Sequence, residues 1–571
     1  MKRLFAIIAM CIGIFLCMLD TTVMNIALPA IQDSLSVNLN DLQWSLNVYT
    51  IIFASLTIPL SKLAEKFGKH KFYLLGLLIF MGGSLISAVS SDLKLLIFGR
   101  GLQSIGAAIV FPLSMTIGIN TVSLTARKGV IAALGVTQGL AAALGPTIGG
   151  VLTQFLGWRW IFLVNIPLMV ISLLICLVCL DWHEATEKAK IDYLGALLSM
   201  ATLFALTLGL VQGRDWGWTS PGILTLLISS AIFLIIFILW EKRCQAPMVP
   251  LELFKNKEFT GSALAIILSN IFLVAVTVVL PTYFTRVQSK TELEAALLVT
   301  PITAMIFIFS PLAAFIIDKL GPRLVIATGF TLMATAYILF TKIDMADSTQ
   351  TTLTCLILGT GYGIIAGPIT VLAASDFTGN LLTASQSVAG VLRQVGIVLA
   401  VAVYVTGLYT NLSTARKEAV RYIKTEVKTI DVSKTKQKTI QKTAVKSLGK
   451  GTNNNTASDH FSKAERKEIV NEAYQKTLQK YPDYLPKEQK QAIYGKVKSR
   501  VSQKLTKINK QINEAVKHIK NYSVERYTKA FTKLYRYSIG FIILAIFSSL
   551  LFPRKNSDNR TNKSLNTAGS A

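Results

Sequence analysis

Asp20 points most directly to chemistry, because it lies inside an apolar run, residues 5–28, that is long enough to cross a bilayer. By insertion scales a carboxylate at that depth costs roughly 2.5–3.5 kcal/mol, so it is usually retained for ion handling. Burial favours the neutral acid and a neighbouring cation favours the carboxylate. Alternation between two such environments would load a proton on one side and release it on the other. The bland alternative is a structural cap near the outer headgroups. Arg100 is the only basic residue deep in the run 95–118, and its bland alternative is a side chain that snorkels to the interface. Arg393, followed by Gln394, is a second basic site within an apolar run.

Glycines form the next pattern. Gly135 and Gly139, then Gly145 and Gly149, recur at four-residue spacing in the run 130–154 and allow another helix to approach closely. Pro146 removes one backbone hydrogen bond and permits a bend. Ordinary small-residue packing explains the spacing equally well.

Other chemistries are poorly served. The histidines His70, His183, His460 and His518 fall outside every apolar run and show no metal-ligand spacing, so no metal or other cofactor is expected. All six cysteines lie in or beside apolar stretches, and Cys176 and Cys179 read as two small apolar residues of one helix. No G-x4-G-K-[ST] nucleotide-binding sequence is present, so energy for any uphill work must come from a gradient.

The elements that would position these residues are membrane spans. Of 571 residues 52% are hydrophobic and only 16% charged, with mean hydropathy +0.51, which excludes an ordinary soluble protein and leaves no room for a soluble enzyme domain. Apolar runs occur near 5–28, 43–61, 72–90, 95–118, 130–154, 161–180, 193–211, 221–240, 260–281, 294–316, 324–341, 351–372, 386–409 and 534–552, giving fourteen spans. The first begins like a signal peptide after Lys2 and Arg3, but it continues through Asp20 to Leu28 without a small-residue cleavage pattern and reads as retained. With the N-terminus cytoplasmic, the inside segments hold 20 Lys and Arg and the outside ones other than 411–535 six, so both termini are expected inside. All seven tryptophans fall at span ends.

The net charge of +27 is concentrated in one place. Residues 411–535 hold 29 Lys and Arg against 11 Asp and Glu, two thirds of the excess. Long loops translocate largely regardless of charge, so this segment is expected outside the cell. Weak helical periodicity at Phe461, Ala464, Val470, Tyr474 and Leu478 is interrupted by the Gly449 to Asn455 stretch and by Pro482 and Pro486. Several amphipathic helices that extend the last two spans are expected. Such a segment is a solvated appendage, a gate over the outer mouth, or a cationic patch that meets anionic lipid or wall polymer.

An internal repeat supports a two-bundle plan. Ser61, Glu65, Lys66 and Gly68 after span 2 match Ala314, Asp318, Lys319 and Gly321 after span 10 at an offset of 253. Spans 1–6 and 9–14 are then the two copies and spans 7–8 an inserted pair, an architecture expected of secondary transporters.

With these features the chain resembles the major facilitator superfamily, and within it the fourteen-span drug:proton antiporters of the EmrB/QacA type. The carriers of the resemblance are Leu19 to Pro29 with Asp20 and Asn25 in span 1, the Ser61 to Lys71 turn, and Arg100, Gln103 and Gly106 in span 4. The span 5 glycines with Pro146 and Gly150, and the stretch from Trp158 through Asn165 to Pro167, complete the set. Departures are Ser61 and Glu65 in the turn, where the family has Gly and Asp, and Ser104 after Gln103, where a Gly is usual. The resemblance implies an all-α membrane fold of two six-helix bundles plus two inserted spans. It implies a cavity role for Asn25, Arg100, Gln103, Gln138 and Arg393, with Arg100 reporting on the protonation of Asp20. It also implies conformational roles for Glu65, Lys66, Gly68, Lys69, Asp318, Gly321 and Arg323, and for Gly135, Gly139, Gly145, Pro146, Gly149 and Gly150 of span 5, which is expected to pack against the other bundle. A topology determinant alone is the alternative for the turn.

The expected organisation is an N-terminal bundle (1–185), inserted spans with a linker (186–257), spans 9–13 (258–410), a largely helical basic extracellular domain (411–533), span 14 (534–552) and a cytoplasmic tail (553–571). The expected function is proton-coupled export of amphipathic or lipophilic compounds across a bacterial cell membrane, by a monomer with no nucleic-acid partner. Rival readings are a lipid or fatty-acid exporter, an importer, and a non-transporting sensor or adhesion protein.

Overall fold

The computed structural model describes residues 1–123, 126–181, 191–288, 290–374, 376–448, 461–481 and 484–554, apart from eight side chains within its helices. Expectations placed on the side chains of Asn25 and Pro146, and on Trp182, His183, His460, Pro482, the Gly449 to Asn455 stretch and the tail beyond Arg554, lie outside the described residues. Every described element is helical. In a bilayer this is the economical answer, because a helix satisfies its own backbone polar groups.

The N-terminal set comprises α1 (Lys2–Leu35), α2 (Leu39–Phe67), α3 (Lys69–Ala88), α4 (Leu93–Asn120), α5 (Arg127–Phe155), and a sixth span broken into α6 (Trp160–Leu163) and α7 (Asn165–Cys179). The inserted pair is α8 (Tyr193–Trp216) and α9 (Pro221–Glu241). Then come α10 (Lys257–Arg286), α11 (Glu292–Leu320), α12 (Pro322–Phe340), α13 (Ser348–Leu372) and α14 (Gly379–Ala400). A single π turn, Val401–Val405, precedes α15 (Thr406–Glu426), and α16 (Lys434–Ser447), α17 (Lys463–Leu478) and α18 (Lys487–Ile546) complete the order.

Among the described residues thirteen helices are long and apolar enough to cross a membrane, and a shorter apolar stretch, Gly129–Ala141, lies in α5. Spans 13 and 14 are not separate elements but the apolar parts of longer helical runs, Gly379–Thr429 and Lys487–Leu551. His70, read above as outside every span, is the second residue of α3.

Helix starts follow local chemistry. Asp92 accepts the Leu95 amide at 2.9 Å, Asp192 accepts that of Gly195 at 2.9 Å, and Thr291 forms a reciprocal capping box with Glu294. The repeat is visible in the backbone. Gly68 joins α2 to α3 with φ +97°, and Gly321 joins α11 to α12 with φ +83°. A Cβ is disfavoured at both, which explains why this glycine recurs at the offset of 253. The helix pairs recur as well: α3 packs on α4 as α12 does on α13, and α2 packs on α4 as α11 does on α13.

The chain forms two compact units. The first comprises Met1–Pro281, Thr291–Gly407 and Leu534–Ala571. Within it the last span is keyed by Tyr535, whose ring stacks on Phe340 at 5.1 Å and meets Tyr337 edge-on at 5.5 Å, while the Tyr404 hydroxyl donates to Ser538 at 2.5 Å. The second unit, Thr282–Lys290 and Leu408–Lys533, has its own apolar core of Ile430, Phe461, Leu505, Ile508 and Ile512, with Tyr422 stacked on Tyr522 at 4.1 Å. Residues 505, 508, 512, 515 and 519 of α18 are buried at helical spacing, so an otherwise lysine-rich helix has one apolar stripe.

Candidate functional site

The intramembrane charges meet in a buried network inside the N-terminal bundle. Asp20 of α1 and Arg100 of α4 are each 1% exposed, and Arg100 Nη1 donates directly to Asp20 Oδ2. Gln103, one turn along α4, accepts from the same Nη1 at 2.7 Å and donates to Asp20 Oδ1 and to Ser84 Oγ, each at 2.8 Å. Arg100 Nε donates to the Ser45 carbonyl at 3.2 Å, and its guanidinium lies 4.3 Å from the centre of the Tyr49 ring. Asn165 donates to Ser84 Oγ at 3.0 Å, which carries the network to α7. Helices α1, α2, α3, α4 and α7 therefore meet in one network.

The geometry requires close packing of α3 on α4. A Cβ on Gly83 would lie 2.6 Å from the Cα of Gln103, so Gly83 lets α4 come near enough for Gln103 to reach Ser84. The charge pair is also confined to one half of the chain. At the repeat offset of 253 the counterparts of Asp20 and Arg100 are Leu273 and Leu353.

Other expected cavity residues are placed as follows. Arg100 and Gln103 do not face an open cavity in this conformation; both are sealed between α1, α2, α3, α4 and the sixth span. Gln138 is buried on α5 with its Nε2 3.3 Å from the Met115 sulphur and its Oε1 without a partner. Arg393 lies apart on α14, partly exposed, near Tyr362 of α13.

The glycines of α5 divide into two sets. A Cβ on Gly145 or Gly149 would strike Thr22 or Val23 of α1, within the same bundle, which corrects the expectation that all of them pack on the other half. Gly135, Gly139 and Gly150 do face the other half, meeting Thr370 of α13 and Ile306 and Leu293 of α11. Thr147 and Thr300 share a hydrogen bond of 2.9 Å across the same junction. Residues 145 and 149 point one way because they are one turn apart, and the six-residue step from 139 to 145 rotates the stripe around the helix.

At the end carrying the Gly68 and Gly321 turns, Glu65 is buried and pairs with Lys62 at 2.8 Å. Lys66 lies over the Phe67 ring at 5.8 Å. Near Glu65 a small gap is lined by Ile58, Ser61 and Lys62 of α2, Ala384 and Ser387 of α14, and Met248 and Val249. Those last two belong to the connection after the inserted pair, and Glu241 fixes them by accepting the Met248 amide at 3.1 Å and the Val249 amide at 3.3 Å. Sequence reasoning missed Glu241, Ser84, Ser45 and Tyr49. An acid at the end of an apolar run was the available signal for Glu241; the others show none. Among the described residues no group of three His, Cys, Asp or Glu is placed to hold a metal.

Comparison with known proteins identifies the family. The chain is 31% identical over 402 residues to the MFS-type transporter Rv1250 of Mycobacterium tuberculosis, covering 69% of this chain and 68% of that one. It is 28% identical over 397 residues to the multidrug transporter protein MdtP of Bacillus subtilis, covering 69% and 73% respectively. It is 28% identical over 391 residues to the probable multidrug resistance protein EmrY of Escherichia coli, covering 68% and 76%. The structure of the proton:xylose symporter XylE superposes with a TM-score of 0.50 at 13% identity, over 70% of this chain and 87% of that one, a likeness of fold alone. Residues 10–401 match the Major Facilitator Superfamily, and the chain belongs to that family of multi-pass membrane transporters.

Proposed function

We propose that the protein is a proton-coupled exporter of amphipathic or lipophilic compounds, powered by the proton gradient with no cofactor. It would act as a monomer in a bacterial cell membrane, with both termini cytoplasmic and residues 411–533 outside. Residues 1–185 form one rocking half and 258–410 with 534–552 the other, with 186–257 inserted between them. The observation that carries this reading is the buried Asp20, Arg100 and Gln103 network, a paired charge site deep in the spans. Relatives named as multidrug transporters support the cargo class.

A coupling route follows from the packing. Protonation of Asp20 removes its charge and leaves Arg100 held by Gln103 and the Ser45 carbonyl. Asp20 lies two residues from Thr22, which bears on Gly145 of α5, and the other face of α5 bears on α11 and α13. A change in how α1 sits against α4 is thereby passed to the junction of the two halves. This is a contiguous physical connection, and its coupling is the part to be tested. Fluorescent dye uptake into inverted vesicles, with and without an imposed pH gradient, tests the function. Uptake that ignores the gradient would refute proton coupling.

A further inference from the structure

The two arginines within the spans, Arg100 fully buried and Arg393 partly so, are held in opposite ways. Arg100 has a carboxylate, two side-chain or backbone acceptors and an aromatic face around it. Arg393 has no hydrogen bond or ion pair among the described residues, and its buried Nε lacks an acceptor. Beside it the buried Nε2 of Gln394 also lacks one. Tyr362 of α13 donates its hydroxyl hydrogen to Asn270 Oδ1 at 3.3 Å, and among the described residues no hydrogen bond joins it to Arg393. No acid supplies a countercharge from the sequence either. The acids between 258 and 410 are Glu258, Glu292, Glu294, Asp318, Asp344, Asp347 and Asp376, all at helix ends or in connections.

The surroundings show that this charge is meant for the interior. From Leu381 to Ala400 no residue of α14 is exposed; all are buried or partly buried, Arg393 among the latter. One turn away Gly390 meets the other half of the transporter, where a Cβ would lie 3.1 Å from the Phe111 ring of α4. One turn the other way, Gly396 lets α14 approach Ile267 and Asn270 of α10. Arg393 therefore sits one turn from Gly390, which meets the other half, and its donors have no acceptor among the described residues. An uncompensated guanidinium in such a place is expensive, and a partner that brings a negative charge removes the cost.

We propose that Arg393 is the headgroup site for an amphipathic organic monoanion, which it binds through charge-assisted hydrogen bonds while the apolar part of the ligand lies along the junction of the halves. The inference rests on the transport reading above and names its cargo class. It also separates the labour of the two arginines: Arg100 serves the proton site and Arg393 the cargo.

The test is binding to the purified full-length protein in neutral detergent, without a gradient, so that a failure of proton coupling leaves the outcome legible. The probes are 11-(dansylamino)undecanoate, its primary amide, and the dansyl analogue ending in trimethylammonium. The carboxylate should bind at least tenfold tighter than the amide, and the cation weakest of the three. Arg393→Gln should bring the carboxylate to the affinity of the amide while amide binding stays, and Arg393→Lys should retain part of the preference. Equal binding of carboxylate and amide by the unaltered protein would overturn the proposal, whatever the variants do. A carboxylate preference that survives Arg393→Gln would overturn it equally.

Discussion

Gly145 and Thr22 touch so closely that no side chain fits between them: a Cβ on Gly145 would overlap the Thr22 hydroxyl and lie 2.7 Å from the Thr22 Cβ. The hydroxyl is itself donated to the Leu19 carbonyl at 3.0 Å, so it does not swing away freely. The contact is within one bundle, between α1 and α5, and it lies two residues from the carboxylate of Asp20.

Gly145→Ala should therefore destabilise the fold, by about 1–3 kcal/mol as for other overpacked sites. Gly139→Ala meets one atom, the Cγ2 methyl of Ile306 at 2.9 Å, where Gly145→Ala meets Thr22 and the Val23 backbone, so it should cost less stability while slowing transport, because it bears on the moving junction. Thermal unfolding in detergent beside dye efflux in vesicles separates the two. Equal loss of stability at both positions would contradict the division of α5 into two faces.

Asp20→Asn should abolish uphill transport and also weaken the fold. Removing one member of a buried ion pair leaves Arg100 uncompensated, a loss of about 3–5 kcal/mol in comparable cases. Asp20→Asn combined with Arg100→Gln should recover most of the stability and none of the uphill transport. Recovery of both by the double variant would show that the pair is structural only.

Glu241→Ala should loosen the connection at Met248 and Val249, because two amide groups lose their acceptor, at about 1–3 kcal/mol for each that stays buried. Hydrogen exchange at residues 244–250 is the measurement. Unchanged protection there would mean that packing, and not the carboxylate, holds this segment between α2 and α14.

In the second unit, acid sensitivity should appear at the start of α17. Lys436, whose Nζ is 2.8 Å from Glu465 Oε1, and the Ser462 amide hold the Glu465 carboxyl down to about 2 from an ordinary 4.5. A depressed carboxylate stabilises the folded state above the ordinary value, and that contribution fades as the pH falls from about 4.5 through about 2. Protection of the α17 amides from exchange, corrected for intrinsic rates, should drop over that window and become flatter in Glu465→Gln. The same slope in both would remove Glu465 as the cause.

The sequence by itself determined the spans, the two-fold repeat and the residues that had to be special. Hydrophobic length is a local property, and a carboxylate such as Asp20 inside an apolar run stands out without any knowledge of its neighbours. Gly68 and Gly321 were likewise readable, because a turn that demands positive φ selects glycine wherever it recurs. The tertiary structure alone decided which residues meet. Gln103 bridging Asp20 to Ser84 depends on how far α4 can approach α3, and periodicity carries no distance between helices. The same reason hid the two faces of α5 and the contrast between Arg100 and Arg393. Two arginines look alike in a sequence, whereas the energy of a buried charge is set by what the fold brings within hydrogen-bonding reach of it.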